Sequence, residues 1–136
     1  MKKIIVIAVI LLASYSCTTN TTTEQIEELE QEVANTIVGV WKLKSVKTLG
    51  QEFINACKSK NNIEVRSDNT FTITGHNEDD NCAANSSTGS WSYNSNSIYK
   101  FTAAGDTQTF TLTADNSLIF SFQQDSNTVI YSYKKD

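Results

Sequence analysis

The feature that most constrains the fold is an alternation of apolar and polar side chains that begins at Ile37 and continues to the end of the chain. β-branched and aromatic residues alternate there with threonine, serine, asparagine and lysine. Successive side chains of a strand point to opposite faces, so this period of two predicts strands with one buried and one wet face. The 136 residues include no proline, which central strands exclude. The region is therefore predicted to be all-β.

Eight strands are predicted in this region, and short polar turns rich in Asp, Asn, Ser and Gly separate them. They cover residues 37–48, 62–66, 70–74, 89–93, 98–102, 108–113, 118–123 and 128–134. Short strands at regular spacing indicate an antiparallel up-and-down meander, either closed into a barrel or folded into a sandwich. We expect the eight-stranded antiparallel barrel, because closure leaves no exposed edge strand.

The alternation assigns one set of side chains to the barrel interior, and aromatic rings dominate it. The predicted ligand contacts are Trp41, Phe71, Trp91, Tyr93, Phe101, Phe110, Phe120 and Tyr131. An eight-stranded barrel is just wide enough for its own side chains or one small ligand, so a filled core and a pocket both fit the pattern. Tyrosine hydroxyls among the rings favour the pocket, because buried hydroxyls need hydrogen-bond partners. Ile119 and Ile130 break the alternation.

The first residues have the features of an export signal. Lys2 and Lys3 precede an apolar run over 4–13, and this run is shorter than the ~20 residues that a membrane-spanning helix needs. Ser16 and Cys17 resemble the end of the lipobox that signal peptidase II recognises. We therefore predict a signal peptide over 1–16 and lipidation of Cys17, with ordinary secretion and cleavage nearby as the alternative. Membrane attachment is expected through the lipid alone.

Three cysteines in an exported chain leave one without a partner, and lipidation of Cys17 accounts for it. Cys57 and Cys82 are then expected to form a disulfide in an oxidising compartment. By the loop-entropy estimate this bridge stabilises the fold by about 3 kcal/mol. A reactive or metal-binding thiol pair is the alternative.

Between the lipidation site and the barrel, residues 17–35 are predicted to form a tether followed by a short helix. Residues 18–23 are polar and have no apolar side chain to bury. Ile26, Leu29 and Val33 then recur at helical spacing within residues 24–34, a segment rich in glutamate. The apolar stripe of this amphipathic helix is expected to pack on the barrel and cover Ile119 and Ile130, with pairing to a second copy as a coiled coil as the alternative. The barrel domain is assigned to residues 36–136.

The charge pattern and the scarcity of catalytic groups exclude several classes of function. The chain has 11 basic and 15 acidic residues and a single arginine, so it presents no basic surface for nucleic acid. Residues 75–81 bring His76 together with three acids, but they lack the ligand spacing of a calcium loop. No catalytic motif accompanies this one histidine. The chain is expected not to be an enzyme and to hold no metal and no cofactor.

Several short motifs resemble one family. Gly39-Val40-Trp41 matches the Gly-x-Trp signature of lipocalins, in which the tryptophan packs across one end of the barrel. The later motifs are Cys57-Lys58 with Asn61, Asp68-Asn69-Thr70-Phe71, Cys82 and Gly89-Ser90-Trp91. Together they resemble the small lipocalin-like domain lipoproteins of Bacteroidota over residues 36–134. The resemblance implies that a late basic residue covers Trp41, and Lys134 and Lys135 are the two candidates.

These observations predict a lipid-anchored protein of the cell envelope that binds a small hydrophobic or amphipathic ligand without catalysis. The alternative is a solid barrel that acts through its loops as a protein-interaction or inhibitor module. Thr18 is not the aspartate that commonly retains lipoproteins in the inner membrane, and the first acid after Cys17 is Glu24. By resemblance to known sorting signals, we expect the periplasmic face of the outer membrane.

Overall fold

The computed structural model describes residues 27–28, 32–33 and 36–136. The predicted signal peptide, Cys17 and the polar tether lie outside the described residues. Residues 27–28 and 32–33 have helical backbone, but the predicted helix as a whole also lies outside them. Among the described residues, no helix is long and apolar enough to cross a membrane.

The described residues form an antiparallel β-barrel. Its strands are β1 (Gly39–Thr48), β2 (Gln51–Glu52), β3 (Asn62–Val65), β4 (Thr70–Asn77), β5 (Ala83–Ser95), β6 (Ile98–Ala103), β7 (Asp106–Leu112), β8 (Ser117–Gln124) and β9 (Asn127–Lys135). Strands β3 to β8 each pair with the next along the chain, and β1 pairs with both β3 and β9. This closes eight strands into a barrel, with β2 as a short extra strand on β1. The predicted fold class is confirmed.

The strand boundaries differ most from the prediction in β5 and β2. The fourth predicted strand starts at Gly89, whereas the corresponding strand β5 begins at Ala83 and pairs with β4 from Ala83 to Ser90. The missed residues are small or polar and mostly exposed on both faces, so they carry no alternation to detect. β2 has only two residues, both exposed. In both places the ladder hydrogen bonds, not apolar burial, define the strand.

A β-bulge in β1 corrects the alternation of that strand. The pairing with β9 shifts between Leu43 and Ser45, and the extra residue turns the strand by one position. Leu43 and Val46 are therefore both buried although they are three residues apart. Without the bulge, Val46 would face solvent.

The core lies inside the barrel and consists mostly of side chains that the alternation assigns there, and the bulge in β1 adds Val46. The buried set is Ile37, Trp41, Leu43, Val46, Ile63, Val65, Phe71, Trp91, Tyr99, Phe101, Phe110, Leu118, Val129 and Tyr133. Ile119 and Ile130 lie on the outer face, where Ile119 is half-buried and Ile130 is exposed. The predicted inward position is confirmed for Trp41, Phe71, Trp91, Phe101 and Phe110, which all belong to this buried set.

The two ends of the barrel have different coverings. At the end that we call the closed end, β1 begins, β9 finishes and residues 36–38 enter the barrel. At the opposite end, the open end, lie the loop over 53–61, the hairpin over 75–85 and the turns over 103–106 and 124–127. The core, the closing ladder and the disulfide all belong to residues 36–136.

Candidate functional site

The closed end is sealed by tryptophan and isoleucine side chains. Ile37 and Trp41 are almost completely buried, and the Trp41 indole Nε1 donates a hydrogen bond of 2.7 Å to the carbonyl oxygen of Ile37. Trp91 packs nearby, and its Nε1 donates to the carbonyl oxygen of Arg66 at 2.9 Å. Each buried indole N–H thus has a partner, as a buried donor requires.

Lys135 is the basic residue that covers Trp41. Its ammonium lies 5.5 Å from the centroid of the indole ring and donates to the carbonyl oxygen of Thr36 at 2.9 Å. Lys134 instead contacts Asp115. Gly39 has a φ of 142°, and a Cβ there would lie 2.6 Å from the Lys135 Cε. The Gly-x-Trp motif therefore leaves room for the lysine to cross the strand.

Two tyrosines complete the closed end. The Tyr99 hydroxyl lies 3.1 Å from Thr36 Oγ1 and 3.1 Å from the carbonyl oxygen of Val33. Burial raises the pKa of Tyr99, and the hydrogen bond with Thr36 partly opposes this shift. Burial also raises the pKa of Tyr133. Both hydroxyls therefore stay protonated at neutral pH, and the Tyr99 hydroxyl fixes the entering chain to the barrel.

The open end contains a cavity between strands β4 and β7, which we call the β4–β7 cavity. Its volume is about 300 Å³. Its lining residues are Ile63, Phe71, Ile73, Ser87, Phe101, Ala103, Ala104, Asp106, Gln108 and Phe110. The deepest of them are buried apolar side chains, whereas Ser87, Ala104, Asp106 and Gln108 are exposed at the mouth. The cavity thus passes from an apolar floor to a polar mouth.

A second cavity lies where strands β7 and β8 diverge. The two strands pair only from Phe110 to Leu112, so the first residues of β7 and the last residues of β8 separate. The gap has a volume of about 540 Å³ and is lined by Phe120, Phe122 and polar residues of both strands. Gln108 lines this gap as well as the β4–β7 cavity. Its side chain is therefore the common wall of the two.

A third cavity, of about 270 Å³, lies beside β9. It is lined by Val46, Thr48, Phe53, Lys58, Gln124, Val129 and Tyr131. The Lys58 ammonium lies 2.9 Å from a carboxylate oxygen of Glu78. This lysine is the main cause that lowers the pKa of Glu78, with a contribution from Asn55. The charge at this mouth is therefore neutralised within the protein.

A row of stacked rings separates these cavities. Phe110 and Phe120 have centroids 5.1 Å apart, Phe120 and Phe122 are 5.6 Å apart, and Phe122 and Tyr131 are 6.0 Å apart. The interplanar angles in all three pairs are 25° or 26°. Phe122 is 37% exposed. The row therefore runs from the core to solvent and offers ring faces to a ligand.

The predicted disulfide between Cys57 and Cys82 is confirmed, and it lies at the open end. It links the loop before β3 to the hairpin between β4 and β5, with a Cα–Cα distance of 5.4 Å. The Asn61 side chain accepts a hydrogen bond of 2.7 Å from the His76 backbone N–H and so joins the same two segments. The disulfide and this hydrogen bond together hold one side of the open end in place.

The eight predicted ligand contacts divide into two groups. Five of them line the three cavities: Phe71, Phe101, Phe110, Phe120 and Tyr131. Trp41, Trp91 and Tyr93 line none of the three and lie toward the closed end, where the Tyr93 ring packs 5.4 Å from that of Tyr99. Their assignment as ligand contacts stays a prediction.

Several residues of the open end were missed at the level of sequence. Ser87, Ala103, Asp106 and Gln108 line the β4–β7 cavity although none of them is aromatic. The alternation that places Phe110 inside also places Gln108 and Asp106 on the same face, so the signal was present. His76 lies in β4, and its Nδ1 is 3.3 Å from Asn61 Oδ1. The described part of the chain has no cluster of three His, Cys, Asp or Glu that could hold a metal ion.

Comparison with known families agrees with this architecture. A family model described as a lipocalin-like domain matches residues 37–120, which is more than half of the chain. The chain belongs to the lipocalin-like domain family. Comparisons with curated proteins and with solved structures returned no match. The matched segment of this lipocalin-like protein includes Trp41 at the closed end and every residue that lines the β4–β7 cavity. A lipocalin-like barrel of this shape fits the binding of small hydrophobic ligands.

Proposed function

We propose that this lipocalin-like protein is a lipid-anchored component of the cell envelope that binds a small hydrophobic or amphipathic ligand through the open end, without catalysis. The observation that supports the proposal is the β4–β7 cavity. Its floor is apolar and its volume of about 300 Å³ is at the lower end of the range for small-molecule sites. The ligand would displace solvent from Phe71, Phe101 and Phe110.

The anchoring part of the proposal concerns Cys17 and the compartment. The described chain enters the barrel at the closed end, through Thr36 and Ile37. A tether that continues from there to a lipidated Cys17 would leave the open end facing away from the attachment point. We place the protein at the periplasmic face of the outer membrane, as a lipoprotein of the Bacteroidota type. Globomycin, which inhibits signal peptidase II, should then cause the unprocessed chain to accumulate.

Ligand binding is tested by native mass spectrometry. The chain from Thr18 to Asp136, which lacks only the predicted leader and Cys17, is purified from the periplasm, and its native and denatured masses are compared. We expect a small molecule that is lost on denaturation. Ala103→Phe, which fills the cavity, should abolish this adduct. Ser92→Phe places the same ring on the exposed outer side of β5 and should keep it.

An adduct that persists in Ala103→Phe would place the ligand elsewhere and contradict the proposal. An apo mass for the wild-type chain, together with failure to bind added amphiphiles, would do the same.

A second candidate function is a protein-interaction or inhibitor module that acts through loops, and two exposed side chains favour it. Leu49 is 77% exposed and Phe53 is 48% exposed, both next to the open end. Leu49 has a φ of 51°, a conformation that an ordinary side chain adopts at a cost in free energy. Residues held in such sparsely populated backbone conformations cluster at functional sites, and the apolar side chain of Leu49 is available there to a partner protein.

A photo-crosslinking residue at position 49 distinguishes this candidate. If loops bind a protein, position 49 should give one discrete adduct in intact cells, and the exposed position 92 should give none. No adduct at position 49 would contradict the interaction module.

A further inference from the structure

The mouth of the β4–β7 cavity carries a negative charge that no positive side chain neutralises. Asp106 contributes the single charged side chain among the lining residues of the cavity. Four ion pairs form among the described residues, and none of them includes Asp106. No side-chain hydrogen bond to Asp106 is found in this part of the chain either. Asp106 is exposed and lines the same cavity as the buried apolar residues of its floor.

The cavity beside β9 provides an internal comparison. It also has one charged lining residue, Lys58, but Glu78 pairs with that lysine at 2.9 Å. A ligand that enters there meets a neutral ion pair. A ligand that enters the β4–β7 cavity meets a carboxylate with no ion-pair partner among the described residues, and of the three cavities described only this one presents such a charge.

The charged side chains around the open end are mostly negative, as is that of Asp106. Acidic residues outnumber basic ones in its loops and strand ends, with Glu52, Glu78, Asp79, Asp80, Asp106 and Asp125 against Lys47, Lys58 and Lys60. Such an excess raises the local concentration of cations and lowers that of anions.

We propose that the β4–β7 cavity binds an amphiphile with a positively charged ammonium head, which pairs with Asp106 while its apolar tail contacts Phe71, Phe101 and Phe110. Ser87 and Gln108 at the mouth supply uncharged hydrogen-bonding groups for the same head. This inference rests on the proposed function, because it names the class of ligand that the same site takes. It predicts that an anionic amphiphile of equal length binds more weakly.

The test uses isothermal titration calorimetry of the chain from Thr18 to Asp136 with three probes that share one tail. Octylamine is cationic at about pH 7, 1-octanol is neutral and octanoate is anionic. We expect octylamine to bind most tightly and octanoate most weakly. Asp106→Asn should lower the octylamine affinity by about fivefold, the effect of one exposed charge pair, and leave the octanol affinity unchanged.

Asp125→Asn is the matched control, because it removes the same charge from the same end of the barrel at a residue outside the cavity lining. It should leave all three affinities within twofold of wild type. Octanoate that binds as tightly as octylamine, or equal effects of the two variants, would overturn the charge selection and leave ligand binding intact. Failure of all three probes to bind would contradict the proposed function itself.

Discussion

The two ends of the barrel share the same eight strands and the same alternation, but their interiors are filled differently. At the closed end, large side chains such as Trp41 and Tyr99 are fully buried, and their polar atoms bond to the entering chain. At the open end, the inward positions of the same strands carry Gly75, Ala103 and Gln108, and space remains. Alternation thus decides which side chains face inward, whereas their volume decides whether a cavity forms.

The largest expected effect comes from truncating the closed end. Trp41→Ala should lower the free energy of unfolding by about 3–5 kcal/mol, because it removes a buried ring, a hydrogen bond and the surface beneath Lys135. Phe122→Ala at the open end removes a ring that is partly exposed and should cost about 1 kcal/mol. Urea unfolding measures both. Equal losses of unfolding free energy would mean that the two ends are equally well packed and would contradict the difference between them.

The stability of the open end depends more on the disulfide between Cys57 and Cys82 than the stability of the closed end does. The double substitution Cys57→Ala and Cys82→Ala should lower the free energy of unfolding by about 3 kcal/mol, because the unfolded chain regains the entropy of the closed loop. Hydrogen exchange should accelerate first in the hairpin over 75–85, while amides beside Trp41 stay protected. Reduction of the wild-type disulfide is the control and should reproduce this pattern. Uniform acceleration along the barrel would contradict a role confined to the open end.

Two glycines on the inward face allow the same substitution, glycine to alanine, to be compared at two depths of the barrel. In Gly89→Ala the new Cβ would collide with the backbone carbonyl of Thr102 and lie 2.7 Å from the Phe71 ring. Moving these groups should cost about 1–3 kcal/mol. A Cβ at Gly75 meets no atom within 4 Å, so Gly75→Ala should change stability by less than about 0.5 kcal/mol. Comparable losses in thermal unfolding would show that the open end has no spare volume.

The smallest expected effect concerns acid stability. Lys134 is the main cause that lowers the pKa of Asp115 at the closed end, and Thr113 and Ser117 add to it. A lowered pKa in the folded state gives stability above the unfolded pKa of about 4, which is lost as the pH falls toward the folded value. Asp115→Asn should therefore flatten the decline of stability below about pH 4.

Glu78→Gln is the corresponding change at the open end, where Lys58 lowers the pKa of Glu78. We expect it to flatten the acid decline less than Asp115→Asn, because Asp115 has the larger shift. Urea unfolding in steps of pH measures both slopes. A larger effect of the Glu78 variant would reverse the ranking of the two ends.

Much of the fold follows from local pattern. Eight strands, the inward side chains and the Cys57–Cys82 link could all be predicted, because each rests on periodicity, turn residues or cysteine count. The first half of β5 could not, since its residues are small and polar and pair with β4 without burying anything. The choice between Lys134 and Lys135 also required the structure. The register with β9 places Lys135 opposite Trp41.

The candidate site was predicted less completely than the fold. An aromatic ring on the inward face identifies a core position, but a small or polar residue on that face identifies a cavity only when its neighbours are known. Asp106 and Gln108 are adjacent in space to Ser87 because β5, β6 and β7 pair in register. Their inward orientation could be predicted from the alternation with Phe110, but their neighbours on the adjacent strands could not. The negative charge at the mouth of the β4–β7 cavity therefore depends on the tertiary structure.

An all-β chain with an inward aromatic face, one disulfide and the Gly-x-Trp motif at the first strand could be predicted from the sequence, because these features depend on residue types at short spacing. Which end is sealed, where the strands diverge and which carboxylate lines an apolar cavity became known only from the folded barrel. These depend on strand register and on the sum of side-chain volumes in a closed barrel. Strand register and total side-chain volume both depend on residues that are far apart in the chain.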